Sequence, residues 1–142
     1  MNKFLVARLF IILALASVAV TCFAADPKPE VAAQEPTARW LALVDAGKFA
    51  ESWQEMSPTF KRAVSQGKWK STITEIRRPL GKMATRKLAS AEFTKDLPGA
   101  PEGDYIVSKF TTDFEKKPSA VETVILVKDA DLKWRVTGYA VK

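Results

Sequence analysis

The clearest structural pattern in the chain lies in residues 105–142, YIVSKFTTDFEKKPSAVETVILVKDADLKWRVTGYAVK. Within residues 105–114, large apolar or small side chains alternate with polar ones, which is typical of a strand with one buried face. The residues predicted to share that face are Ile106, Ser108, Phe110, Thr112 and Phe114. Residues 120–127 form a β-branched run, and the short polar turns EKKP and DAD join these segments into antiparallel hairpins. In the last segment, Trp134, Val136, Gly138 and Ala140 alternate, so we expect them on one face.

A further strand is predicted over residues 83–93, although charged residues interrupt its alternation. It is followed by LPGAPEGD, residues 97–104, whose prolines and glycines favour turns. Four strands joined by short connections pair as an antiparallel meander. Such a sheet must bury one apolar face under another layer.

The residues before position 83 follow a helical period instead. Phe49, Trp53 and Met56 recur at i, i+4 and i+7, and the pair Ser57-Pro58 is typical of a helix N-cap and first turn. A second helical stripe comprises Trp69, Ile73, Ile76 and Leu80. The sequence therefore predicts an α+β domain over residues 37–142, with N-terminal helices on the four-stranded meander.

The N-terminus has the three zones of a secretory signal peptide. Lys3 and Arg8 precede an uncharged apolar run of 12 residues, 9–20, which is too short to span a bilayer. We predict cleavage after Ala24, a flexible lead over residues 25–36, and a periplasmic or secreted domain. Cleavage before Cys22, with lipidation of that cysteine, is the alternative.

Composition restricts the chemistry. The chain has no histidine, and its single cysteine, Cys22, lies in the predicted signal. Catalysis by Ser-His-Asp or Cys-His groups is therefore excluded. Zinc, copper and haem sites of the usual kinds are also excluded, and we expect no metal or other cofactor.

Several segments resemble the bacterial domain-of-unknown-function 4019 family. They are WLALVDAGKFAESW (40–53), RRPLGK (77–82), RKLASAEFTKDLPGAPEGDYIV (86–107), SAVETV (119–124) and KWRVTGY (133–139). The resemblance implies a small secreted or periplasmic α+β domain and supplies no catalytic residues. The order of helices before a curved sheet is also similar to the nuclear-transport-factor-2-like cone, a fold that serves both binders and enzymes.

A basic segment, residues 61–87, holds nine lysines and arginines against one acid, Glu75. Helical spacing groups Lys70, Arg77 and Arg78, with Lys82 nearby, as a possible surface for anionic lipids or acidic partners. The alternative is an ordinary solvated helix face. Nucleic acid is not expected, because only Trp69 is interleaved with these charges.

The tryptophans and the carboxylates each allow two interpretations. Trp40, Trp53, Trp69 and Trp134 are expected to form the core, and some of them could edge an apolar pocket. Among the carboxylates, Glu122 interrupts an apolar strand and is the candidate catalytic base, followed by Asp113 and Asp45. The competing interpretation of Glu122 is an outward position paired with Arg135.

These observations favour a non-enzymatic module that binds a protein partner or a small apolar ligand. A carboxylate-based isomerase or dehydratase on a cone fold is one alternative, and a domain that docks on anionic envelope surfaces is another. The oligomeric state is left open.

Overall fold

The computed structural model describes residues 25–142, and this part of the chain contains five helices followed by four strands. The helices are α1 (Pro29–Ala32), α2 (Gln34–Asp45), α3 (Phe49–Gln54), α4 (Pro58–Ala63) and α5 (Gln66–Arg77). The strands are β1 (Met83–Thr94), β2 (Tyr105–Phe114), β3 (Lys117–Lys128) and β4 (Trp134–Val141). The predicted α+β class is confirmed. The predicted signal peptide and Cys22 lie outside the described residues.

Part of the predicted flexible lead is helical. α1 lies within it, and α2 begins two residues before Pro36. Ala33, between the two helices, is buried, and Ala32 packs against the core. The prediction is therefore wrong for residues 29–36, because alanines are strong helix formers and their small side chains allow close packing.

The sheet is the predicted antiparallel meander, with strand order β1-β2-β3-β4. Its inner face is covered by the helices. On β2, the alternation places Ile106, Ser108, Thr112 and Phe114 in buried positions on this face, as predicted. On β3, the inward residues are Ala120, Glu122, Val124 and Leu126.

The predicted face of β4 is wrong beyond Val136. Leu126 pairs with Val136 but Ile125 pairs with Gly138, so Thr137 is an extra residue in the ladder. This β-bulge reverses the inward alternation. Tyr139 consequently packs against the core, whereas Ala140 is exposed.

Side-chain hydrogen bonds fix the helical layer. Ser57 is the N-cap of α4, and its Oγ accepts from the backbone N–H of Phe60 at 3.1 Å, which confirms the predicted cap. Ser52 is buried in α3: its carbonyl accepts from Trp40 Nε1 and its Oγ accepts from Trp69 Nε1, each at 3.0 Å. Because both indoles are anchored on one residue, α2, α3 and α5 are held together as a unit.

The predicted tryptophan core is largely confirmed. Trp40, Trp69 and Trp134 are buried, and Trp53 packs on the same core while partly exposed. Trp53 Nε1 donates to the carbonyl of Val64 at 2.8 Å. Among the described residues, no helix has the length and apolar character needed to cross a bilayer.

Candidate functional site

Five side chains from five elements meet between the helices and the inner face of the sheet. We call Asp45, Arg77, Arg86, Glu122 and Tyr139 the charge cluster. They come, in that order, from the last residue of α2, the last residue of α5, and strands β1, β3 and β4. The bulge at Thr137 brings Tyr139 into the cluster, because a regular strand would turn this ring to the outer face.

Glu122 is the centre of the charge cluster, with 0% of its surface exposed. Arg86 binds it through two nitrogens, with Nε 2.5 Å from Oε2 and Nη2 3.1 Å from Oε1. Tyr139 donates its hydroxyl to Oε1 at 2.6 Å, and Thr112 donates to Oε2 at 2.9 Å. Each carboxylate oxygen therefore accepts two hydrogen bonds from the protein.

Asp45 provides the second carboxylate. Arg86 donates to it from Nη1 at 2.7 Å and from Nη2 at 3.0 Å, and Arg77 donates from Nη2 at 2.8 Å. Arg77 also lies 3.8 Å from Glu122 and its guanidinium covers the ring of Phe114 at 4.9 Å. Two guanidinium groups thus face two carboxylates, and the cluster is neutral in sum.

The environment shifts the pKa of three members. Burial alone would raise the pKa of Asp45, but hydrogen bonds from Arg86 and Arg77 outweigh it and lower that pKa below its usual range. Burial opposes the charge of Arg86, yet its bonds to Asp45 and Glu122 raise its pKa further. Burial and the adjacent negative Glu122 raise the pKa of Tyr139 well above that of a free tyrosine.

This arrangement leaves Glu122 poorly placed to act as a general base. A base must reach the proton that it removes from a substrate. Glu122 is enclosed and its oxygens are occupied, and no buried side-chain nitrogen or oxygen in residues 25–142 lacks a partner. The charge cluster is instead built to hold α2 and α5 on the sheet.

An apolar cleft of about 330 Å³ adjoins the charge cluster. It lies between α2 and the first two strands and is lined by Gln34, Thr37, Ala38, Leu41, Ala42, Asp45, Arg86, Leu88, Ser108 and Phe110. The residues from α2 recur at intervals of three and four, so one face of the helix forms one wall. Asp45 and Arg86 belong to both the cleft and the cluster, and this ion pair fixes the distance between the two walls.

The structure separates the residues that the sequence grouped as a basic surface. Lys70, Arg78 and Lys82 are exposed, whereas Arg77 is buried in the charge cluster. The grouping is therefore wrong for Arg77, because helical spacing alone does not reveal the carboxylates that other elements bring to it.

Two of the three carboxylate candidates, Glu122 and Asp45, meet in the charge cluster. Asp113 does not: it accepts from Thr85 Oγ1 at 3.0 Å and from the N–H of Ser119 at 2.7 Å, and these bonds lower its pKa. The interpretation of Glu122 as an outward residue paired with Arg135 is wrong.

Arg135 instead bonds Asp129 and Asp131 in the turn before β4.

The sequence did not identify Arg86 and Tyr139 as members of the charge cluster. For Arg86 the sequence held one indication, which is that a charged residue interrupts the polar–apolar alternation of β1.

Together, the fold and the site define a small α+β domain with a neutral buried ion cluster and a lateral apolar cleft. The chain belongs to the family described as "Protein of unknown function (DUF4019)", whose model matches residues 36–139. The predicted resemblance is thereby confirmed.

A solved structure from Catenulispora acidiphila is similar at 17% sequence identity and a TM-score of 0.48. The match covers 79% of this chain and 88% of that one. The comparison with curated proteins gives no match.

Removing the charge of Glu122 tests its structural role. Glu122→Gln should lower the free energy of unfolding by about 3–5 kcal/mol, because Arg77 and Arg86 lose one of the two carboxylates that they share. Glu75→Gln, on the exposed face of α5, is the matched control and should change it by less than about 0.5 kcal/mol. Denaturant unfolding measures both, and equal stability of the two variants would contradict the role assigned to Glu122.

The raised pKa of Tyr139 predicts a loss of stability in alkali. The folded state keeps this proton after the unfolded chain, with a tyrosine pKa near 10, has released it. The stabilisation is complete below about pH 10 and declines above it by up to about 1.4 kcal/mol per pH unit. Unfolding free energies measured from neutral to strongly alkaline pH should therefore fall more steeply for the wild type than for Tyr139→Phe. Parallel curves would refute this linkage.

Proposed function

We propose that this protein is an exported, non-enzymatic binding module that holds a small, largely apolar ligand in the cleft beside α2. The observation that carries the proposal is the cleft itself. Its volume of about 330 Å³ lies in the range of small-molecule sites. Its walls combine aliphatic and aromatic side chains with a few polar groups, as ligand sites do.

The lining of the cleft provides both apolar and polar contacts for a ligand. Leu41, Leu88 and Phe110 supply apolar contact, and the hydroxyl-bearing side chains of Thr37 and Ser108 lie among them. The ion pair of Asp45 with Arg86 adds polar atoms without net charge. A ligand with an uncharged apolar body and one hydrogen-bonding group matches this lining.

The alternatives find less support. A carboxylate-based enzyme needs a base that can reach the substrate, and Glu122 is enclosed by Arg86, Tyr139 and Thr112. The predicted docking surface for anionic partners includes Arg77, but the guanidinium of this residue is bound to Asp45. The exposed Lys70 and Arg78 share their helix face with the acid Glu75.

Export is supported by the order of a basic start, a short apolar run and small residues at positions 22 and 24. Intact-mass and N-terminal analysis of the protein recovered outside the cytoplasm should give Ala25 as the first residue. A chain that retains Met1, or one that begins at a lipidated Cys22, would contradict the proposed processing.

Filling the cleft tests the binding proposal. Ala42 lies exposed on the α2 wall, so Ala42→Phe adds a ring to the cleft without entering the core. Binding of the neutral apolar probe N-phenyl-1-naphthylamine, followed by its fluorescence, should weaken by about tenfold or more, equivalent to about 1.4 kcal/mol. The change removes the space in which the probe is expected to lie.

The control is Ala140→Phe, which adds the same ring to an exposed position on β4 outside the cleft. It should bind the probe as the wild type does. Equal binding by both variants, or no binding by the wild type, would contradict a ligand site at this cleft.

A further inference from the structure

Strand β1 lies at the edge of the sheet, where α1 contacts it but no further strand in residues 25–142 pairs with it. Among the described residues β1 pairs only with β2, and its backbone makes no ladder on the opposite side. The other edge of the sheet is partly closed, because Met56 bridges to Val136 and the N–H of Ser57 donates to the carbonyl of Val136 at 2.8 Å. An open edge of this length presents a row of donors and acceptors to another strand.

The side chains of β1 divide between two faces. Arg86, Leu88 and Ala91 point inward: Arg86 reaches Glu122, Leu88 lines the cleft and Ala91 packs on the core. Lys87 and Glu92 are exposed on the outer face. The register shift between Leu88 and Ser90 leaves Ala89 as a bulge, which explains why inward positions are even before it and odd after it.

Two copies of β1 fit each other in antiparallel orientation. When Lys87 of one copy lies opposite Glu92 of the second, Leu88 lies opposite Ala91 and Arg86 opposite Phe93. Residues on the inner face of one copy then lie opposite residues on the inner face of the second copy, both before and after the bulge at Ala89. By two-fold symmetry the Lys87–Glu92 pair forms twice, so the two edges are complementary in charge.

The same pairing covers exposed apolar surface. Leu88 is 46% exposed and Phe93 is 36% exposed, both high for large apolar side chains on the inner face of a sheet. In the antiparallel register each of them gains a neighbour from the second copy. Apolar contacts and opposite charges therefore favour the same alignment.

We propose that β1 is a homodimer interface, in which two copies join their sheets edge to edge through Lys87–Glu92 pairs. The occupant of this edge is a second copy of the chain, because the complementary sequence is β1 itself. The proposal does not depend on ligand binding in the cleft.

Charge reversal tests the pairing. Lys87→Glu and Glu92→Lys each place like charges opposite one another twice, and each should raise the dimer dissociation constant about tenfold or more. The double variant Lys87→Glu/Glu92→Lys restores opposite charges and should return the constant to within about threefold of the wild type. Sedimentation velocity over a concentration series measures all four proteins, and circular dichroism checks that each is folded.

Lys109→Glu is the matched control. Lys109 lies on the same outer face, opposite Ser90, but on β2 and away from the open edge. It should dimerise as the wild type does. A monomeric wild type, a control as weak as Lys87→Glu, or a double variant that fails to recover would each overturn the proposal.

Discussion

The burial of one carboxylate, Glu122, constrains most of the structure. An ionised carboxylate out of contact with water is stable only when charges and hydrogen bonds compensate for its lost hydration. Here the compensation comes from Arg86, Tyr139 and Thr112, with Arg77 close by. Each of those groups must occupy one position for the carboxylate to be tolerated. The positions of α5 and of all four strands are therefore linked through a single side chain.

Asp45 extends the same constraint to α2. Its two bonds from Arg86 and one from Arg77 tie the C-terminal end of α2 to both β1 and α5. Since α2 is also one wall of the cleft, the ion pair sets the width of the cleft at that end. Stability and the proposed binding site thus depend on the same guanidinium, that of Arg86. A substitution there would alter both properties at once.

Much of the fold could be read from the sequence because its strands obey simple periodicity. The bounds predicted for residues 105–114 match β2, and the Ser57 cap needed only local chemistry. The bulge at Thr137 could not be predicted, since it arises from pairing between strands and leaves no mark in composition. For the same reason the strand pattern placed Tyr139 on the wrong face. Glu122 was recognised as unusual because a charge within an apolar run is a local signal, whereas its partners are 10 to 45 residues away in the chain.

The bulge on β4 also bears on which changes in chain length the domain tolerates. Thr137 is present in β4 without a counterpart in β3. Loss of Thr137 alone would make the ladder regular and leave the pairs Ile125–Gly138 and Val124–Tyr139 unchanged. The ring of Tyr139 would still face the interior, because Val124 opposite it is an inward residue. Loss of a second residue between Val136 and Tyr139 would instead place the ring opposite Ile125, on the outer face, so the strand tolerates removal of the bulge but no further shortening at this point.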